Sequence, residues 1–525
     1  MPTLKIFKTS SYEKRSNIYY HLLAKEYCSK YSHRRIHHVL GTLITKGSYK
    51  FTKVWEKHSK KHIACDGRFA FFDNYEKCID CANHHNKAVV KFNLPKKSCC
   101  KIEDAILMEG TPETVSLPHK GYRGCLLALN NKNLLIRIDI ESGHILEEVY
   151  VGSTHLKFRK ILWNVFDESF LLCSNKLLPS ERQSSHSQPF MQLVVMSCMP
   201  LDFICKFPLT KQIFGKDACG ASISLNILFV MHSSNHVRMY SLERIMSESL
   251  THSHKLYDVL PGGEQYGVYP SCLTQNITLT APPPCLFEVQ CHNHDVMLTM
   301  PPIHYIMSPY GSRYQRGYYV FSFENRQMVK GGFLEPETDE IDDRVCLHAD
   351  DSGRIIHMKN KELKILKLLK KNESDNETEL VEDFIISCGK DAKISPFPTV
   401  TQSGRIIRPR VRDSSVEITE RSVLAMMYSD ELDMIIVTST PNPNREIGDN
   451  PSCTLVGFYD NWNGTLCRQF EIEKNTIETL ERSVCYNLDT LTHVFKTVDG
   501  LFKCNVFKLQ AVPDAEDLPS GMRRR

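Results

Sequence analysis

From about residue 50 onward the apolar positions fall into one recurring unit: a short apolar or alternating run, a tight polar turn, then a second alternating run. NLLIRIDI–ESG–HILEEVYV (133–151), ILFVMH–SSN–HVRMYSL (227–242) and VCLHAD–DSG–RIIHMK (345–359) are three such units. FPTV–TQSG–RIIRP (397–409), LVGFYD–NWNG–TLCRQFEI (455–472) and HVFKTV–DG–LFKCNVFKL (493–509) are three more. Period-two alternation places successive side chains on opposite faces of a strand. With Ser-Gly, Asn-Gly or Asp-Gly between two such runs, it predicts antiparallel hairpins. The fragment SGRII occurs at 352–356 and again at 403–407, 51 residues apart. Periods near 40–50 residues with several strands each are those of propeller blades, which also leave only short, protected sheet edges. The pattern predicts an all-β chain, a degenerate WD40-like β-propeller of about seven blades over residues 50–510. A pair of β-sandwiches built from the same hairpins is the alternative. Polar stretches near 174–189, 370–379 and 439–452 lack apolar periodicity and are expected as disordered loop insertions, with 511–525 as a disordered tail.

The first 49 residues follow a different period. Ser10 with Glu13 three residues on fits a capping box, and Ile18, Leu22 and Leu23 recur at helical spacing behind it. After a polar break at 28–32, Ile36, Val39, Leu40, Leu43 and Ile44 form a narrow apolar stripe flanked by Arg34, Arg35, His37 and His38. This predicts two short amphipathic helices joined by a turn, a helix-turn-helix arm over 1–49. Charge sharpens the division. Residues 1–61 hold 14 Lys and Arg against three Asp and Glu, a balance of +11 that leaves the remainder at −7. A stripe of this kind suits docking in a partner's groove, packing on the chain's own body, or, through its cations, nucleic-acid binding or nuclear import.

The 525 residues, 42% of them hydrophobic and 24% charged, exclude a mostly disordered, collagenous or small disulfide-framework protein. The twenty cysteines fall largely inside apolar runs, as with Cys125, Cys198, Cys205 and Cys388, and no signal-peptide pattern precedes them. They are expected as reduced thiols in an intracellular protein. FMQLVVMSCMPLDFICKF carries Pro200 and Asp202, and ASISLNILFVM is too short for a spanning helix, so both are expected as buried strands and no membrane is implied.

Candidate chemistry is sparse. Cys78-x-x-Cys81-x-x-His84-His85, with Cys65 and Cys99-Cys100 nearby, has zinc-preferring donors but supplies only half of a standard ligand pattern. In Cys291-His292-Asn293-His294, two histidines alternate along an extended segment and can point to one face, but no third ligand is visible in sequence. No nucleophile elbow, phosphate loop, dinucleotide fingerprint or HExxH helix occurs, and the acidic run 337–343 is expected as a solvated loop. No catalytic residue, cofactor or metal is assigned.

A basic helical arm ahead of an eroded propeller resembles the substrate receptors of cullin-4 RING ubiquitin ligases. Collinear stretches are similar to one family among them, that of the seventeenth DDB- and cullin-associated factor. They include FTKVWEKHS (51–59), FFDNYEKC (71–78), KIEDAIL (101–107), SGHILEEVYV (142–151), KFRKILW (157–163) and NILFVMHSSNHVRMYS (226–241). DDSGRIIHMKNKELKILKL (350–368) and TQSGRII (401–407) continue the series. The resemblance implies a non-catalytic receptor whose arm docks on the ligase adaptor, the damaged-DNA-binding protein, while the propeller holds a protein substrate. It also implies a nuclear, nucleolar location. Many such receptors contact the adaptor through Trp-Asp-x-Arg. Here Trp55, Trp163 and Trp462 are followed by Glu, Asn and Asn, so adaptor contact falls to Ile18, Leu22, Leu23, Arg34, Arg35, Ile36, Val39, Leu40 and Leu43. A nucleolar RNA-associated scaffold without a ligase role is the competing expectation.

Overall fold

The structure, a computed structural model, describes residues 49–511 apart from short stretches. The longest omissions are 92–101, 109–124, 175–188, 389–398, 408–420 and 442–452. Two compact units result. One is built from Phe71–Asp295 and Pro309–Tyr314; the other takes the described residues up to Ala70, Val296–Ser308, and those from Gln315 onward.

In the first unit, sheets form from strands consecutive in the chain. Ile102–Met108, Cys125–Asn130, Leu134–Asp139 and Ile145–Tyr150 make one antiparallel meander. Phe158–Asn164, Ser169–Ser174, Pro189–Cys198 and Leu201–Thr210 make the next. Ala218–Ser224, Ile227–His232 and His236–Ser241 follow, joined by Cys285–Leu298 through Cys285–Gln290. The predicted hairpin turns are where expected, with Gly143 (φ 70°) and Asn235 (φ 62°) in the left-handed region that such turns need.

Alternation divides each inner strand between two cores. Phe170 and Leu172 join one cluster, with Val194 and Met196, while Leu171 and Cys173 join another, with Leu193 and Val195. A sheet covered on both faces has no polar face to show. Its inner strands therefore read as unbroken apolar runs, and all six residues of Cys125–Asn130 and of Ser169–Ser174 are buried. This is the physical source of the membrane-like hydropathy at FMQLVVMSCMPLDFICKF, which forms the hairpin Pro189–Cys198/Leu201–Thr210. Among the described residues no helix is long and apolar enough to cross a membrane.

The second unit repeats the meander in Arg344–Leu347, Ile355–Met358, Glu362–Asn372 and Asp375–Ser387. It does so again in Arg421–Ser429, Met434–Pro441, Cys453–Asp460 and Leu466–Lys474. His304–Pro309, Tyr318–Ser322 and Met328–Leu334 form a further antiparallel run. Both ends of the described chain meet in one sheet: Tyr49–Ser59 pairs with Phe502–Ala511, which pairs in turn with Thr490–Lys496 and Arg482–Asn487. Its ladder runs from Tyr49↔Ala511 to Ser59↔Phe502 with one bulge between Lys53 and Trp55. The fold class is all-β and WD40-like propeller, as the hairpin pattern predicts.

One expectation is corrected. The described part of 370–379, residues 370–372 and 375–379, is not a disordered insertion. It continues a strand pair whose register runs from Lys370↔Thr378 to Asn372↔Asp375. The backbone ladder carries the hairpin beyond its apolar stretch, so side-chain patterning gives no sign of it. Apart from Tyr49 and Ala511, which pair in the closing sheet, the helix-turn-helix arm and the tail lie outside the described residues, as do most of 174–189 and 439–452.

Two outcomes follow from the closing sheet. Phe458 is fully buried, with ring centroids 6.0, 5.7 and 5.1 Å from Phe51, Phe470 and Tyr486. Phe458→Ala is expected to cost about 3–5 kcal/mol in urea unfolding. Glu56 accepts hydrogen bonds from Lys53 and His58 and pairs with Lys503 across the ladder at 3.1 Å. The Lys53 bond, then the His58 bond, together with Lys503, overcome burial and lower its pKa from 4.5 to about 2. The depressed value means that Glu56 stabilises the fold fully above about pH 4.5 and ceases to as pH falls through about 2. Glu56→Gln should flatten the acid limb of a thermal-stability profile between those limits.

Candidate functional site: an exposed tryptophan on a stapled turn

Polar side chains excluded from two-faced sheets collect in the turns, and the richest cluster lies in the second unit. Asp350-Asp-Ser-Gly-Arg354 forms the turn before Ile355–Met358. Gly353, at φ 75°, reverses the chain, and Ser352 caps Asp350 through its amide (3.0 Å) and hydroxyl (2.5 Å). This geometry turns Arg354 back over its own hairpin and across to the turn Asp460–Thr465 of the neighbouring sheet. Its Nη1 donates to the Asn461 carbonyl at 2.7 Å, and its Nη2 to Asn461 Oδ1 at 2.8 Å and Asp350 Oδ2 at 2.5 Å. Nε donates to Ser352 Oγ at 3.1 Å, and Asp383 Oδ2 lies 3.6 Å from Nη1. Arg354 is 5% exposed and its guanidinium makes four hydrogen bonds, the planar multi-donor role that lysine could not fill.

The carboxylates around it are equally committed. Burial works to raise the Asp350 pKa. Hydrogen bonds from His348, Ser352 and Arg354 outweigh it and hold the group well below the usual carboxylate range. Asp383 accepts from Lys367 Nζ at 2.6 Å. Asp433, at φ 51°, accepts from Asn461 Nδ2 at 2.8 Å, Tyr428 Oη at 2.9 Å and Trp462 Nε1 at 2.7 Å. Trp462 is thereby held by its ring nitrogen and by Arg354, whose guanidinium carbon sits 5.5 Å from the ring centroid. Yet the residue is 68% exposed. An aromatic ring fixed in orientation and open to solvent has already lost the rotamer freedom that binding would otherwise cost, and tryptophan is prominent among interface hot spots. The arrangement can present a contact surface. Its serine hydroxyl on a carboxylate, Ser352 on Asp350, meets a base weakened by the lowered pKa of that group.

The first unit holds a second ordered display. Residues 250–284, between the helix Leu242–Ser249 and the strand Cys285–Leu298, form no regular element beyond two isolated bridges. They are pinned by Asn276, completely buried, which donates to the carbonyls of Ile204 and His252 and accepts from the Lys206 amide. Lys206 Nζ donates to the carbonyls of Val151 (2.9 Å) and Leu273 (2.8 Å), and burial lowers its pKa. Tyr266 and Leu273 join the core beneath, leaving Val259 and Tyr269 more than 70% exposed above. Asn276 is thus an internal anchor.

The residues singled out from sequence fare differently. Ile18, Leu22, Leu23, Arg34, Arg35, Ile36, Val39, Leu40 and Leu43 all lie outside the described residues, as do His84, His85, Cys99, Cys100 and the acidic run 337–343. Cys78 and Cys81 are both completely buried. His292 stacks on Tyr310 at 6.5 Å and His294 Nε2 donates to the His232 carbonyl, so Cys291, His292 and His294 do not converge. No group of three metal-ligating side chains assembles among the described residues. Asp217, His232 and Ser234 do meet. However, Ser234 Oγ donates to Asp217 Oδ2 (2.7 Å) and His232 Nδ1 to Oδ1 (3.0 Å), so the serine has no base. Those bonds, His232 first, lower the Asp217 pKa to about 2. Sequence reasoning found both halves of the Arg354 cluster as hairpin turns without joining them. The available signal was a lone Trp in the polar turn NWNG, where it has no hairpin to pack.

Sheets of propeller-blade topology with side chains displayed on fixed turns define an all-β, WD40-like protein. Residues 36–509 match the family model for DDB1- and CUL4-associated factor 17. The chain belongs to that family. It is 28% identical over 487 residues to DDB1- and CUL4-associated factor 17 of Mus musculus, covering 91% of this chain and 92% of the relative. It is 28% identical over 481 residues to the Homo sapiens protein of that name, covering 90% and 91%. Among solved structures, the Myceliophteria thermophila Cps50 (Swd1) β-propeller domain is similar at TM-score 0.32 and 9% identity, over 74% of this chain and 93% of that one. Kluyveromyces lactis Hsv2 follows at TM-score 0.30 and 12% identity, over 68% and 74%.

The two roles within the cluster are separable. Arg354→Ala leaves Asp350 and Asp383 without their common cation and is expected to destabilise the protein by about 3–5 kcal/mol. Trp462→Ala removes an exposed ring and should shift the urea midpoint by less than about 1 kcal/mol equivalent. Equal losses in the two variants would show that the ring supports the fold rather than a surface.

Proposed function

We propose that this protein is a non-catalytic substrate receptor of a cullin-4 ubiquitin ligase, joined to it through the damaged-DNA-binding protein as adaptor. The observation that carries the reading is the family match over residues 36–509, in a family named for association with those two proteins. The match takes in Ile36, Val39, Leu40 and Leu43, the second half of the apolar stripe on the basic arm. In this reading the arm docks by its stripe in an adaptor groove, with Arg34 and Arg35 as flanking charge, and Ile18, Leu22 and Leu23 extend the contact.

Catalysis then resides in the RING and conjugating-enzyme pair that the cullin recruits. The receptor contributes effective concentration: a substrate lysine held beside the charged enzyme reacts in an effectively intramolecular step. Fixed turns of the Trp462 kind suit the substrate side, because a rigid surface gives up little entropy on binding. No cofactor enters this role, and no membrane. The +11 balance of residues 1–61 suits a nuclear, nucleolar location. The same charge favours a second reading, an RNA-associated nucleolar scaffold held through phosphate contacts.

Purification of tagged protein from nuclease-treated nuclear extract, washed at about 0.3 M salt, separates the two, because phosphate-based binding collapses under those conditions. Adaptor and cullin-4 are expected at stoichiometric levels with the parent. They should be lost with Ile36→Asp/Leu40→Asp, whose circular dichroism and unfolding midpoint should match the parent's. Retention of adaptor at parental levels by the double variant would overturn the arm assignment. Absence of both ligase components from the parent, with associates lost on nuclease treatment, would favour the scaffold.

A further inference from the structure

The sheet that joins the two ends of the described chain has a pair of thiols beside it. Cys65 lies on Ile63–Asp66, four residues past the closing strand Tyr49–Ser59, and Cys485 lies on Arg482–Asn487, the far strand of the same closing sheet. Their sulfurs are 3.1 Å apart, although 420 residues separate them in sequence. Cys485 Sγ also points toward the Cys65 carbonyl at 3.7 Å, and Ser483 Oγ lies 3.4 Å from Cys65 Sγ. Both cysteines are half-buried, whereas Cys78, Cys81, Cys125, Cys205 and Cys504 are buried. We infer that Cys65 and Cys485 form an oxidation site that takes a peroxide and closes to a disulfide between the far strand of the closing sheet and the strand Ile63–Asp66 beside it.

The geometry supplies what the chemistry requires. A disulfide sets its sulfurs about 2.05 Å apart, so the pair is about 1 Å from bonding distance, within reach of small side-chain rotations. Cys65 is the attacking thiol, because the Ser483 hydroxyl can donate to its sulfur as the thiolate develops. The thiolate attacks one peroxide oxygen, the O–O bond breaks, and the departing hydroxide takes up a proton as water, leaving Cys65 as sulfenic acid. Cys485 sulfur then attacks the Cys65 sulfur, and the S–O bond breaks with release of a second water. Two thiols and one hydrogen peroxide give one disulfide and two waters.

The consequence follows from where the bridge falls. Hydrogen bonds, the Glu56–Lys503 ion pair and apolar packing, with no covalent bond, hold Tyr49–Ser59 to Phe502–Ala511. A covalent link from Ile63–Asp66, which follows the first strand of that ladder, to Arg482–Asn487, the far strand of the closing sheet, closes a very long loop, so it removes much of the unfolded chain's freedom. Oxidation would therefore set the closing sheet, and a reductant would release it. Nothing in this depends on the ligase reading.

The test uses the full-length protein, reduced, desalted, and exposed to hydrogen peroxide in slight excess. After thiol blocking and non-reducing digestion, mass spectrometry should find the Cys65 and Cys485 peptides joined and two hydrogens lighter than their sum. The unfolding midpoint should rise by about 3 °C or more and return on addition of dithiothreitol. Cys65→Ser and Cys485→Ser should each fold to the reduced parent's midpoint and fail to show the rise. Separately blocked Cys65 and Cys485 after oxidation would overturn the proposal. A midpoint rise of equal size in both serine variants would do the same. If either variant fails to fold, the crosslink in the parent decides alone.

Discussion

A sheet covered on both faces has to be apolar on both faces, and most other features of this molecule follow from that requirement. Phe170 and Leu172 go into one core and Leu171 and Cys173 into the next, with Val194 and Met196 divided from Leu193 and Val195 in the same way. The second unit repeats it at Met434 and Ile436 against Ile435 and Val437. No strand in such a stack can carry a recognition residue at its centre without burying it. Recognition chemistry is therefore confined to turns and insertions, where backbone and side chain meet water.

The turns do more than reverse the chain. In the first unit Asn133, at φ 60°, receives the Phe158 amide on Oδ1 and donates through Nδ2 to the Gly152 carbonyl, so one turn sets where the next sheet begins. In the second unit Arg354 performs the same service with charge, gathering Asp350, Asp383 and Asn461 around one guanidinium. A buried cation of this kind is stable because four hydrogen bonds and the Asp383 carboxylate compensate its desolvation. The same network fixes Trp462 on the outside, a case of internal satisfaction creating an external surface. Residues 250–284 reach a similar end by burying Asn276, Tyr266 and Leu273 to hold Val259 and Tyr269 in the open. The proposed receptor role suits such rigid displays.

How much of this the sequence discloses depends on range. The hairpins at 133–151, 227–242, 345–359, 455–472 and 493–509 are local, because period-two alternation and a turn glycine act within a dozen residues. The family resemblance is legible for a related reason: a long collinear series of short matches needs no tertiary information. The polar hairpin 370–379 is not legible, because backbone pairing held it while its side chains read as loop.

What the sequence by itself determined, then, is the all-β class, the hairpins, the family and the division of charge between a basic first segment and an acidic body. Tertiary structure alone decided which distant groups meet. Arg354 finds Asn461 107 residues on, Lys206 finds Asn276 70 residues on, and Cys65 finds Cys485 across almost the whole chain. The physical reason is that side-chain periodicity reports which face a residue occupies. Which turn faces which other turn is set by the stacking of whole sheets, and no local pattern encodes it.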